Sequence, residues 1–481
     1  MNSRQYMNRA RALFPYIVIC LLCTVVFFRP LNSLDELWNY SFAHNISLGM
    51  TPYRDFNMVQ TPLSAYISSA FISLLGGGLF SYRIAGFILL FALLCMLFKV
   101  VANEQDRFTA YIILLLSFTM ITVFYRYDYN GLSLLIIASI IRLEQIKTAS
   151  QKNGNTINQL QGLLIGIAPL IKQNTGTALF AANIGLCIAL SILGRISRKS
   201  VIIRIALSIL PSIAYVLISI ANNTFTYFWE YTVEGIGTFT QRFTPLDLLA
   251  KMPGFFAFFA ILLVICALLV FKTIKRGKDI SNVQLTSLLL ALAFCSIMYP
   301  LCDAEHVFYA IIPFMPTIAL FYPNTNVSKG KKYTAVFVVL LAALISIVSQ
   351  LPEKDNCKLS DLPNYELIPI DEGMESAIKT IDDYIIREKL DGYNVRIADS
   401  SAAAIKIPLN DYEKGWDMLL IGNLGTATPD ELLAGEGRFL YLVSRNGHRG
   451  VQSHDELIEF IVRNYTKIDS IEWFDVYKKP E

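Results

Sequence analysis

Residues 13–38 read LFPYIVICLLCTVVFFRPLNSLDELW. An apolar run of the length a bilayer requires, ~20 residues, closes at Arg29-Pro30. Ser33-Leu34-Asp35-Glu36-Leu37-Trp38 follows at once. A pair of carboxylates thus comes first where hydrocarbon gives way to water, a position suited to chemistry on something carried by lipid. Ser33 followed three residues later by Glu36 has the spacing of a capping box. Leu34, Trp38, Phe42 and Ile46 then recur at helical spacing, and Gly49 with Pro52 supplies a stop. The pattern predicts an amphipathic interfacial helix with Asp35 in its first turn, where the helix dipole favours negative charge. Capping is a sufficient role for Glu36. Asp35 is a second acid beyond the one the cap requires, and it is the candidate base.

Composition says the rest of the chain is also membrane material. Of 481 residues, 54% are hydrophobic and only 16% charged, with a mean hydropathy of +0.47. A soluble domain carries about a quarter charged residues. The eight cysteines include no CxxC pair and no His/Cys ligand spacing, which argues against a zinc or redox motif. Six of them lie in apolar runs, where Cys behaves as a small hydrophobe. The first span has no small-residue cleavage site and is read as retained. A net charge of +3 gives no reason to expect a nucleic-acid partner.

Apolar runs place spans at 13–31, 81–101, 108–124, 131–146, 161–172, 177–194, 201–221, 255–272, 282–301, 307–323 and 334–350. That makes about eleven transmembrane helices. With the N-terminus inside, 19 Lys and Arg fall in cytoplasmic segments, among them the clusters Arg195–Arg204 and Lys272–Lys278. The opposite face holds seven: Arg29, Arg54, Arg83, Arg126, Lys172, Arg242 and Lys251. This is the positive-inside bias. Residues 61–76 are apolar enough to count as a further span, but counting them reverses every later loop. They are read instead as a helix in the outer interface, ended by Gly76-Gly77-Gly78.

The chain therefore divides into a transmembrane domain, 1–350, and a polar domain, 351–481. The second carries 15 of the 41 positive charges and alternates strand-like and helix-like runs. The strand-like runs are Val395–Ala398, Met418–Gly422 and Phe439–Val443; the helix-like ones are Met374–Leu390 and Asp455–Tyr465. The alternation predicts a soluble α/β domain, and an odd number of spans puts it outside. The protein is expected in the cell membrane, multi-pass, with its N-terminus cytoplasmic.

On this topology the outer loops hold the acids, aromatics and prolines. Tyr53, Arg54 and Asp55 follow the first helix. Arg126 and Asp128 sit among tyrosines between two spans, and Lys172-Gln173 ends an apolar run. Asp303-Ala304-Glu305-His306 precedes another span, and Trp229 to Arg242 forms a long aromatic loop. Tyrosine belts and snorkelling lysines are ordinary at an interface. Ionisable groups at four or five span ends on a single face are less ordinary.

The ordered set resembles the C-type superfamily of polytopic glycosyltransferases (GT-C), particularly its protein O-mannosyltransferase and aminoarabinose-lipid A transferase branch. The resemblance rests on Asp35-Glu36 after the first span, Gly49 to Phe56 followed by Thr61-Pro62-Leu63, and Gly162 to Gly166 running to Lys172-Gln173. Family members often have Pro-Pro at Thr61-Pro62 and Arg-Pro-Asp at Arg126-Tyr127-Asp128. The resemblance implies a GT-C-like bundle with interfacial helices in the first outer loop. It implies an inverting glycosyltransferase with a polyprenyl-phosphate sugar donor and a lipid, polysaccharide or protein acceptor. Asp35, with Glu36, would be catalytic. Lys172, Arg126 and His306 would balance the phosphate, and Tyr53, Asp55, Asp128, Gln173 and Glu305 would line the substrates. Some relatives use a divalent metal; Asp35, Asp128, Glu305 and His306 are the donors available for one, though no ligand spacing compels a site.

Two other classes remain open. A transporter is opposed by the lack of internal repeats and of paired broken helices. A membrane sensor or assembly protein whose acids are structural would be revealed by an Asp35→Asn variant that keeps function.

Overall fold

The computed structural model describes residues 3–31, 34–124, 129–149, 154–239, 245–275, 279–322, 328–348, 357–399, 401–417, 419, 423–445 and 454–480. The Ser33 half of the expected capping box, Arg126, Asp128 and most of the strand expected at 418–422 lie outside them. The chain forms two compact units. One comprises residues 1–26, 86–217 and 240–350; the other comprises 27–85, 218–239 and 351–481.

In the first unit, apolar helices follow one another through short turns. Among the described residues, six helices are long and apolar enough to cross a membrane: Arg11–Phe28, Gly78–Ala102, Gln173–Ile192, Arg198–Ala221, Phe256–Lys275 and Ala304–Phe321. They coincide with six of the eleven expected spans. Arg107–Thr122, Asn282–Met298 and Tyr333–Ile345 are shorter apolar helices. Tyr129–Ala149 and Gly154–Ile171 are helical too, but polar side chains fill one end of each: Arg142, Glu144 and Gln145 in the former, Asn155, Asn158 and Gln161 in the latter.

Those polar ends are joined to one another. Arg204, fully buried, donates through Nε to Asn183 Oδ1 (2.8 Å) and through Nη1 to Gln161 Oε1 (2.8 Å). Gln161 donates to Glu144 Oε2 at 3.1 Å, and Lys147 reaches Glu144 at 3.3 Å. Four helices are thereby tied, and Arg204 does not belong with the cytoplasmic loop charges, where its neighbours in sequence had placed it. The same helices approach closely at two glycines. A Cβ on Gly162 would lie 2.6 Å from the Arg204 carbonyl oxygen, and one on Gly166 would lie 2.6 Å from that of Ser208. Such small-residue spacing lets helix backbones touch. Helices Gly154–Ile171 and Gln173–Ile192 are separated by a single extended residue, Lys172 (φ −148°, ψ 116°).

The second unit begins with helix Leu34–Ser47 and helix Leu63–Leu75. The latter's 13 residues span about 20 Å, too short for a bilayer core. It stops where Gly76 turns left-handed (φ +95°), with the Gly76 and Gly77 amides both donating to the Ile72 carbonyl. Helix Leu34–Ser47 is not amphipathic as expected: every residue from Glu36 to Asn45 is buried.

What covers it includes the C-terminal α/β domain. A two-stranded sheet pairs β1 (Cys357–Leu359) antiparallel with β2 (Pro369–Asp371). The main sheet holds β3 (Asn394–Ala398), β4 (Phe439–Ser444), β5 (Thr466–Ile471) and β6 (Phe474–Lys478) in the order β3-β4-β6-β5. β3 and β4 run parallel; β6 is antiparallel to both its neighbours. Strand β4 is buried throughout because both faces are covered. Leu440 and Leu442 pack with Ile381, Ile385 and Ile405 on one side, and Phe439, Tyr441 and Val443 with Leu457, Ile458 and Ile461 on the other. The expected strands at 395–398 and 439–443 and helices at 374–390 and 455–465 are present.

The first outer segment is bonded to this domain at several points. The Leu31 amide donates to the Pro369 carbonyl (2.7 Å) and the Leu79 amide to the Asn364 carbonyl (2.8 Å). The Val59 amide donates to Asn423 Oδ1 at 3.1 Å. His44 bridges as well, its Nε2 2.9 Å from Asn410 Oδ1 and its Nδ1 3.4 Å from the Tyr40 hydroxyl. Burial pushes the imidazole below its ordinary value, against the pull of Asn410. A neutral ring with the proton on Nε2 satisfies both partners.

Candidate active site

The acids of helix Leu34–Ser47 lead to different environments. Asp35 is half-buried in the first turn, and its backbone carbonyl accepts from Asn39 Nδ2 at 2.8 Å. Glu36 is buried, and Arg83 grips it with two parallel bonds, Nε to Oε1 (2.9 Å) and Nη2 to Oε2 (2.8 Å). Arg83 Nη1 also donates to the Arg29 carbonyl at 2.6 Å. This fork geometry is the strong form of a charge pair. It anchors the helix start to helix Gly78–Ala102 and leaves Asp35 as the neighbouring carboxylate.

Tyr53, at φ +70°, is buried, and its hydroxyl donates to the Gln60 carbonyl at 2.7 Å. Its ring meets Phe228 edge-on, with 5.4 Å between centroids, and its carbonyl accepts from Lys414 Nζ at 2.8 Å. Tyr53 is therefore a strut within this unit. Asp55 is doubly bonded to Arg54 (2.8 Å on each oxygen) and accepts the Thr51 amide at 2.7 Å. The Arg54 guanidinium beside it holds its carboxyl below the usual carboxylate range. Lys414 Nζ lies 4.3 Å over the Tyr227 ring, and burial lowers its ammonium pKa against the pull of Glu230, Asp55 and Asp417.

In the other unit the residues gather around Lys172. Its Nζ donates to Asn130 Oδ1 at 2.9 Å and sits 4.7 Å over the Tyr129 ring. Gln173 begins the next helix, and Asn174 donates to the Ser296 (3.2 Å) and Tyr299 carbonyls. Asp303 caps helix Ala304–Ile311 by accepting the His306 amide at 3.0 Å, and His306 Nδ1 lies 2.7 Å from the same oxygen. Burial works against ionisation of Asp303. The His306 bonds, with Lys172 nearby, nevertheless hold its carboxyl below its ordinary value. Glu305 occupies the first turn of that helix.

Asp35, Glu36, Tyr53 and Asp55 thus share one unit, and Lys172, Gln173, Glu305 and His306 share the other. Among the described residues no three His, Cys, Asp or Glu gather as a metal site; Asp128, one of the donors considered, is not among them. Arg83, Asn130, Asp303 and Lys414 were given no site role from sequence, although Arg83 and Asp303 had been placed on the outer face. Arg83 had a signal, as a lone charge in the first turns of an apolar helix. Asp303 had another, as the residue three before His306.

No protein-family model matches the chain, and no curated protein matches it. Solved structures do. ArnT from Cupriavidus metallidurans bound to undecaprenyl phosphate is similar over 98% of this chain and 98% of its own, at 12% identity and a TM-score of 0.57. The apo state of the same protein is similar over 97% and 98%, at 11% identity and a TM-score of 0.56. Over nearly its whole length, the chain has the fold of ArnT.

Proposed function

We propose that this chain is a multi-pass membrane glycosyltransferase that moves a sugar from a polyprenyl-phosphate donor to an acceptor on the outer face. One observation carries the reading: the full-length likeness of fold to ArnT, which has been solved with undecaprenyl phosphate bound. In the proposed reaction Asp35 accepts the proton of the acceptor hydroxyl. That oxygen bonds to the anomeric carbon from the face opposite the phosphate. The carbon–oxygen bond to phosphate breaks, polyprenyl phosphate leaves, and the anomeric configuration inverts.

The chain's own residues supply what such a step requires. A general base must be ionised and within reach of the proton it takes. Asp35 sits in the first turn of a helix, where the dipole favours the carboxylate, while its neighbour Glu36 is committed to Arg83. Cations must meet the charge growing on the leaving phosphate. Lys172, held by Asn130 and Tyr129, is the proposed cation for this, with Arg126 and His306 as its proposed partners. Asp55, Asp128, Gln173 and Glu305 are the proposed substrate contacts, with Tyr53 supporting the first loop.

The test is transfer by the purified protein in liposomes, from a mixed pool of polyprenyl-phosphate sugars, read as release of polyprenyl phosphate. Asp35→Asn should lower turnover by about 10²-fold or more, the scale of general-base loss. Near-normal turnover by that variant, at matched protein levels, would remove Asp35 from the mechanism.

A further inference from the structure

Residues Phe225, Thr226, Trp229, Glu230, Glu234 and Thr426 line an open cavity of about 380 Å³, within the unit that also carries Asp35. That is inside the ~300–1,000 Å³ range of small-molecule sites. Its floor is aromatic. Trp229 leaves 48% of its surface exposed, with the Phe225 ring 6.5 Å away. Its rim is polar. Glu230 Oε1 accepts the Thr426 hydroxyl at 3.1 Å, and Glu234 Oε1 accepts the Trp229 indole N–H at 3.2 Å.

Next to the lining residue Thr426, the backbone approaches the aromatic segment closely. Gly425 turns left-handed (φ +64°) and lies so near that a Cβ would fall 2.8 Å from the Tyr231 ring and 2.9 Å from Glu230 Oε1. Behind the cavity the segment is braced. Tyr231 is buried, Phe228 packs on Tyr53, and Lys414 stacks on Tyr227. The aromatic platform is therefore exposed on a supported element, not on a loose loop.

We propose that this cavity binds a neutral saccharide, and that it holds the sugar portion of the acceptor during transfer. A pyranose presents a face of C–H bonds and a rim of hydroxyls. The exposed indole face matches the first, and two carboxylates with two threonine hydroxyls match the second. Both carboxylates already accept hydrogen bonds from neutral donors, which is the bond a sugar hydroxyl makes, and hydrogen bonds to charged groups are the stronger kind. Lys414 near Glu230 offsets part of the negative charge. The acceptor role rests on the transferase reading above, whereas saccharide binding does not. Binding energy gathered on a remote part of a substrate can be spent on orientation at the reacting centre.

The experiment is calorimetric titration of the full-length protein in an amphiphile free of sugar head groups, since a maltoside detergent would occupy the cavity. The probes are maltose, cellobiose and lactose, with choline chloride as a cationic probe. At least one disaccharide should bind saturably. Trp229→Ala should abolish binding, Trp229→Phe should retain part of it, and Glu234→Gln should weaken it about tenfold. Thermal unfolding of each variant separates lost binding from lost folding. No saturable binding of any disaccharide, binding indifferent to Trp229→Ala in a folded variant, or Trp229-dependent binding of choline alone would each overturn the proposal. Asp35→Asn should leave disaccharide affinity unchanged. Disaccharide binding without transfer from any donor would sink the transferase reading and leave the saccharide site standing.

Discussion

Glu36 and Arg83 are buried together, with two bonds of 2.9 and 2.8 Å between them. A Glu36→Gln variant would keep the shape needed for a capping box, so from sequence alone it looks mild. With Arg83 as the partner it is severe, because a guanidinium with only 1% of its side chain exposed loses its counter-charge. Removing one member of a buried pair typically costs about 3–5 kcal/mol. Glu36→Gln should therefore lower the thermal midpoint sharply, and pairing it with Arg83→Met should recover much of the loss. A Glu36→Gln protein as stable as the parent would mean that the pair does not anchor the helix. Lys172 differs in kind. Asn130 and Tyr129 hold it as a positioned charge, so Lys172→Met should leave the fold intact and raise the donor KM about tenfold or more, the effect of losing a charged hydrogen bond to phosphate. An unchanged donor KM would dissociate Lys172 from the phosphate.

Helix Gly154–Ile171 carries its information in glycines rather than in charge. Gly166→Ala would put a Cβ 2.6 Å from the Ser208 carbonyl oxygen and 2.8–2.9 Å from the Pro211 ring. Overpacking of this kind typically costs about 1–3 kcal/mol. Gly185→Ala, with nothing within 4 Å, should instead stabilise its helix slightly. Opposite shifts of the thermal midpoint for these two variants would confirm that helices Gly154–Ile171 and Arg198–Ala221 meet backbone to backbone; equal shifts would deny it. The helices were legible because apolar runs of bilayer length admit few other readings. Arg204 was misplaced because its sequence neighbours are basic, and only packing shows that it turns inward to Asn183 and Gln161. The β5–β6 hairpin was missed for a related reason. Thr466–Ile471 is almost wholly exposed and mixed in polarity, and the turn uses Glu472 at φ +47°, with no glycine or asparagine to mark it. Of the candidate site, residue types and order were readable. Their partners were not, since Arg83 and Asn130 lie 47 and 42 residues from what they hold.

Two properties belong to the molecule as a whole. The first is pH dependence. Asp382 is buried in the C-terminal domain with no partner on Oδ1, and burial, with Asp383 beside it, pushes its carboxyl up to about 7. The folded state then binds a proton that the unfolded chain has released, so this group makes stability fall as pH rises from about 4 to 7. Asp382→Asn should raise the thermal midpoint at pH 8 and leave it nearly unchanged at pH 5; an equal gain at both would remove Asp382 as the cause.

The second is topology, where hydrogen bonds constrain what charge counting only suggests. Leu31 and Leu79 flank helix Leu63–Leu75 and both bond to the C-terminal domain, at Pro369 and Asn364. Both flanks then lie on the domain's side of the membrane, as expected if residues 61–76 form an interfacial helix that does not cross. Glu230 bonds to Thr426, which puts the 225–239 segment on that side as well. The loop charges, with Arg204 removed, predict an inside N-terminus by 18 to 7, and the reporter tests that orientation. A reporter active only outside the cytoplasm should therefore work when fused after Glu481 or inserted near Gly49, and stay silent within 272–280. Opposite signals at Gly49 and Glu481 would contradict the bonds themselves. Matching signals of the reversed sign would leave the fold intact, turn the molecule over, and place Asp35 on the cytoplasmic side, away from any donor presented outside.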